Sequence, residues 1–196
     1  MRKLAILALG AAILVAANAG ATTLERMTLR QIASASAFVV RARCVGVSSR
    51  WENGEIWTFS RFGTIENWKG ALPAEFTVRM IGGRVGEIES VVSDVPRFAP
   101  GEEAVLFLVP TVEGDYAVTA WVEGTFRVVR DTTDHAFVTQ ESAAELVFNP
   151  ATRSFEARGI RRMPLAAFHR LFDRAAKVHS ARASTGVHAP QPKGGP

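Results

Sequence analysis

The stretch AVLFLV, Ala104 to Val109, decides the fold. It is the only continuous apolar strand-like run downstream of the first 21 residues, bounded by Glu102-Glu103 before it and Pro110 after it. A strand with no polar alternation has no face to give to water, so it belongs at the centre of a sheet with protein on both sides. The rest of the chain must supply those two covers.

Upstream, EFTVRMI (Glu75 to Ile81) sets Phe76, Val78 and Met80 against Thr77 and Arg79, the period-two pattern of a half-buried strand. Before it, FVVRARCVGVSSRW (Phe38 to Trp51) and IWTFSRFGTIENW (Ile56 to Trp68) flank Asn53-Gly54, a pair suited to a type I′ hairpin turn because both central residues need positive φ. Gly82-Gly83 breaks the third strand, and residues 84–95 read as either a further strand or an excursion with Glu87 and Glu89 in water. Downstream, strands are expected at Tyr116 to Val122 and Thr125 to Arg130, joined at Glu123-Gly124, with weaker signals around Phe137 and from Leu146 to Phe148.

Two helices bracket these strands. Residues 28–37 begin with Thr28 as N-cap and place Leu29, Ile32 and Ala33 on one side. Pro164 suits the first position of an amphipathic helix whose apolar stripe is Leu165, Phe168, Leu171, Phe172, Ala175 and Val178. The expected fold is mainly β: a small antiparallel barrel with a short N-terminal helix and a C-terminal amphipathic helix. Closure of the sheet would remove open edges in a chain that has no disulfide to help it.

Residues 1–21 read as a signal peptide, with Arg2 and Lys3 ahead of an apolar run and Ala17-Asn18-Ala19 as the small-x-small cleavage pattern. The expectation is an exported protein, periplasmic or secreted, with no transmembrane segment left after cleavage. Residues 22–179 form one domain in this reading, and residues 180–196, rich in Pro and Gly, form a disordered tail. Charge divides along the chain: residues 20–157 carry 13 basic and 18 acidic side chains, whereas residues 158–196 carry eight basic and one acidic. An acidic body argues against nucleic acid as a partner.

Chemistry is sparse in this sequence. Cys44, the single cysteine, shares its strand face with Phe38, Val40 and Ala42 and reads as a small buried hydrophobe. No Cys or His spacing suggests a metal, no motif suggests a cofactor, and the G-x-S-x-G elbow is missing. Asp131, Asp134 and His135 in DTTDH are the one acid/base grouping, and their composition is also that of a polar loop. Glu87 with Glu89, and Glu102 with Glu103, read as solvated acids. Trp51, Trp57, Trp68 and Trp121 are the candidate binding face, with core filling as the competing use of the same rings.

FVVRARCVGVSSRW, the strand end NWKG, FTVRMIGGRVG and VPRFAPGEEAVLFLVP together resemble a group of exported bacterial proteins of unassigned function. Over roughly residues 27–130 the pattern is also similar to the netrin-like domain of the tissue inhibitors of metalloproteinases, an OB-type barrel. That resemblance implies fold more than function. It brings a secreted protease into view as a partner, but those inhibitors chelate zinc with an N-terminal Cys, and here the only Cys lies inside a strand. The expected function is a non-enzymatic, exported protein-binding or cell-envelope accessory module. Two other readings stand beside it: a hydrolase-like enzyme using Asp131, Asp134 and His135, and a small-ligand binder using the aromatic face.

Overall fold

Asn53 and Gly54 both take left-handed backbone, with φ of 51° and 84°. That turn folds β1 (Phe38–Glu52) antiparallel onto β2 (Glu55–Lys69) in the computed structural model, which describes residues 27–144, 146–149, 153–157 and 159–184. The leader read at residues 1–21 lies outside the described residues. β3 (Glu75–Ile81) continues the meander on β2. The ambiguous residues after it form a separate small hairpin, β4 (Gly83–Val85) with β5 (Ile88–Ser90), followed by irregular chain; Glu87 and Glu89 are exposed.

The apolar run forms β6 (Glu103–Pro110), and it has three partners. One edge pairs with β1 from Glu103 to Leu108. The other pairs first with β8 (Thr125–Arg130) and then with β7 (Tyr116–Val118). β7 in turn meets β3 in parallel at Val78 and Tyr116, so β1, β2, β3, β7 and β6 form a closed circuit of pairings. β9 (Ala136–Gln140) and β12 (Met163–Pro164) extend the sheet beyond β8, while β10 (Leu146–Asn149) and β11 (Ser154–Ala157) pair apart from it. β7 ends sooner than its apolar sequence suggests. Ala120 and Trp121 turn left-handed, with φ of 52° and 49°, and lead into a 3-10 turn over Trp121–Gly124. Gly124 permits this turn, since a Cβ there would lie 2.0 Å from the Thr119 carbonyl oxygen.

Alternation along β6 divides the interior into two cores. Ala104, Leu106 and Leu108 join Val40, Ala42, Cys44, Phe62, Phe76 and Val78 within the circuit. Val105 and Phe107 point the other way, to Ile32, Val39, Phe126, Val138, Phe168 and Phe172 beneath the helices. Both covers expected for the central strand are present. The architecture is mainly β with two helices.

Helix α1 (Leu29–Ala35) carries a capping box in which Thr28 and Gln31 satisfy each other's backbone N–H, and it buries Ile32 and Ala33. Lys69, at the end of β2, donates to the carbonyls of Ala33 and Ser36 and so ties the strand to the helix C-terminus. Helix α2 (Leu165–Ser184) lays Phe168 and Phe172 on the second core. Pro164 precedes this helix rather than opening it, because its residue pairs with Phe137 as part of β12. The chain read as a tail from Ser180 is helical as far as Ser184, and residues 185–196 lie outside the described residues. Among the described residues, no helix is long and apolar enough to cross a membrane.

Candidate functional site

The four tryptophans do not form one face. Trp68 is drawn under α2, where it stacks on His169 and touches Phe168 and Phe172, making it part of the helix-to-sheet packing. Trp51 is exposed near the tip of the β1–β2 hairpin, opposite Ile56. Trp57 and Trp121 come together: both line a groove of about 410 Å³, with Asn53, Glu55, Arg79 and Glu113 among its other walls.

Arg79 is the residue that organises this groove. Alternation in β3 assigns it to the polar face, yet its side chain is only 7% exposed. Its guanidinium lies 4.5 Å from the Trp57 ring centroid and meets three carboxylates, Glu52 at 2.7 Å, Glu113 at 2.8 Å and Asp115 at 3.7 Å. Burial works against the charge, but Asp115, Glu113 and Glu52 outweigh it and raise the guanidinium pKa. Asp115 is fixed in turn by the Thr111 hydroxyl. The Glu113 carboxyl is held below its ordinary pKa by its own backbone N–H and, against some desolvation, by Arg79.

The groove therefore holds one cation deep in its wall against Glu52, Glu113 and Asp115, while Glu55 stands at its rim with no ion pair among the described residues. Arg50 lies 3.8 Å from Glu52 and covers the Phe59 ring at 3.6 Å. A wider depression of about 620 Å³ adjoins at Glu113 and Asp115 and is bordered by Arg61 and Glu75. No sequence spacing could reveal the Arg79 cluster, since its acids come from the β1 end and the β6–β7 loop. The one signal was compositional: an arginine on a short strand opposite an aromatic-rich one.

The DTTDH loop has a local use for its polar groups. Asp131 Oδ1 accepts from the backbone N–H of Thr133 and of His135 and from the Thr133 hydroxyl, closing the β8–β9 connection. These bonds, the Thr133 hydroxyl first, lower the Asp131 pKa. The Thr133 hydroxyl has a single proton and an ionised Asp131 can only accept, so His135 Nδ1, 2.8 Å away, is the donor to Thr133. That is the wrong direction for a base activating a hydroxyl. His135 borders an apolar hollow with Phe137, Pro164 and Leu165 that excludes Asp131 and Asp134, and Asp134 is exposed beside Arg130.

Of the other acids named from the sequence, Glu87 is exposed and Glu89 lies 3.4 Å from Arg97. Glu102 pairs with Arg127 at 2.6 Å. Glu103 is not solvated as its sequence position suggests: it is buried at the start of β6, where cross-strand pairing brings Arg41 to 2.6 Å and Arg43 to 3.1 Å. Cys44 is buried and free, and burial raises its thiol pKa. Among the described residues no three His, Cys, Asp or Glu side chains stand together in a metal-binding arrangement. Compared with known proteins, the sequence matches no protein-family model and no curated protein.

Proposed function

We propose that the chain is a non-catalytic, exported module that binds a partner protein through the groove at Trp57 and Trp121, on a small barrel of the OB or netrin-like kind. The order of pairings supports the barrel: three antiparallel strands in sequence, a fourth and fifth that return to the first, and one parallel contact, between β3 and β7. In OB barrels ligands meet the face of strands 2 and 3 with the loops that join strands 1–2 and 4–5. The groove draws on the corresponding places, with Trp57 from β2, Arg79 from β3, Asn53 from the β1–β2 turn, and Thr111 and Glu113 from the β6–β7 loop.

The observation that carries the reading is Trp121. It is a large aromatic side chain, 44% exposed and outside both cores, held at the groove by two consecutive left-handed residues. Such backbone is disfavoured for residues with a Cβ, and rigid exposed aromatics are the usual anchors of protein interfaces. Export rests on the leader pattern of residues 1–21. A secreted protease, if it is the partner, would meet this groove rather than a zinc-chelating thiol, because Cys44 is buried in β1.

The test is retention by the immobilised full chain of proteins taken from outside the producing cell. A partner retained by the native protein and by His135→Ala, but released by Trp121→Ala, supports the proposal. Retention indifferent to Trp121, or a hydrolytic activity that disappears in His135→Ala, overturns it.

A further inference from the structure

We infer that the groove receives a positively charged side chain, a lysine or arginine presented by the partner protein. This rests on the partner-binding reading above and adds the chemistry of what enters.

Three observations carry it. The first is charge: Glu52, Glu55, Glu113 and Asp115 border or support the groove against one buried cation, Arg79, with Arg50 adding a second only at Glu52. An anionic occupant would be repelled. A purely apolar one would cover Glu55, which has no ion pair among the described residues, without supplying a counter-charge, which is costly. The second is that aromatic rings in and beside the groove already hold cations: Arg79 lies over Trp57 in its wall and Arg50 over Phe59 in the adjoining depression. Trp121, at the same groove, has no cation over its ring among the described residues, and a further ammonium or guanidinium would find there the same attraction. The third is rigidity. The Trp121 carbonyl accepts from the Thr125 hydroxyl at 3.0 Å, and Val122 N–H donates to the Asp94 carbonyl at 3.2 Å. The backbone that carries the ring is thus fixed before a ligand arrives, which lowers the entropic cost of binding. Arg79 acts as a positioning residue: it holds the carboxylates of Glu52 and Glu113 in place and leaves Glu55 to face the incoming charge.

The experiment follows the indole N–H resonances of the full chain by NMR as capped tripeptides Gly-X-Gly are added, with X arginine, lysine, norleucine or glutamate, and cellotetraose as a carbohydrate probe. The arginine and lysine peptides should shift Trp57 and Trp121 and leave Trp51 unmoved, with binding that weakens in added salt. Glu55→Gln, which removes the rim charge without touching the Arg79 cluster, should weaken it by roughly threefold to tenfold. Equal shifts from norleucine overturn the cationic assignment, as does a stronger response to cellotetraose or no shift from any cationic peptide up to about 20 mM. Each of those results leaves Trp121-dependent partner retention standing, so the chemistry of the occupant and the existence of the binding face fail separately.

Discussion

Trp68 lies flat on His169, with ring centroids 4.1 Å apart and planes 4° from parallel. The pair joins the end of β2 to the N-terminal part of α2, next to Phe168 and Phe172, and makes one of the four tryptophans part of the packing. Two tryptophan substitutions should therefore diverge. Trp68→Ala takes away a ring packed against three others and should cost about 2–4 kcal/mol in denaturant unfolding. Trp121→Ala, at an exposed turn, should stay within about 1 kcal/mol of the native protein. Equal losses would mean that Trp121 is part of the packing.

β6 faces two cores, so neighbouring substitutions should be costly for different reasons. Leu106→Ala opens a cavity within the strand circuit, and Phe107→Ala opens one beneath the helices. Each should cost about 2–5 kcal/mol. A melting temperature unchanged by either one would contradict the cover proposed for that face.

Burial raises the Cys44 thiol pKa, and its proton donates weakly to the Gly46 carbonyl at 3.7 Å. A thiol whose pKa is higher folded than unfolded contributes stability that is complete below the ordinary thiol pKa and is lost as pH rises through the raised value. The native protein should lose more melting temperature than Cys44→Ala between about pH 7 and about pH 10. Thiol reagents should label it only after denaturant is added. Fast labelling of the folded chain would show an accessible, activated thiolate.

Asp131 has the opposite sign. Its folded pKa is lowered, first by the Thr133 hydroxyl, so its contribution is present above the ordinary carboxyl pKa and is lost as pH falls through the lowered value. Asp131→Asn should melt below the native protein at neutral pH, and the gap should narrow in acid. A gap that stays constant from about pH 7 to about pH 3 would mean the carboxylate charge does nothing for the turn.

The sequence was most readable where local chemistry and burial agree. AVLFLV could be placed at the centre because no polar residue interrupts it, Asn53-Gly54 because few other pairs accept that turn, and Thr28 because a helix-capping residue stands directly ahead of the spaced Leu29, Ile32 and Ala33. The DTTDH loop was legible as a turn because its bonds are between neighbours. The groove was not, because its parts come from strands and loops distant in sequence. Period two puts Arg79 toward water, and only the folded hairpin brings Glu52 and Trp57 over it. Nothing in AVTAWVEG announces that Ala120 and Trp121 turn left-handed; the local pattern reads as strand, and the approach of Gly124 to the Thr119 carbonyl prevails over it. Trp68 could be assigned to a face only after α2 had been docked on β2.

The most direct measurement is site-specific photo-crosslinking in the producing cell, with a benzophenone side chain placed at Ile81, which lines the groove, and, separately, at Val129 of the full chain. Val129 is 59% exposed on β8 and lies outside the groove, so it reports contacts that any exposed apolar site would make. A partner-binding groove requires a discrete protein adduct from position 81 that is absent from position 129 and is lost when Trp121→Ala is added. Adducts from 129 alone, or an adduct at 81 that survives loss of Trp121, would contradict the account.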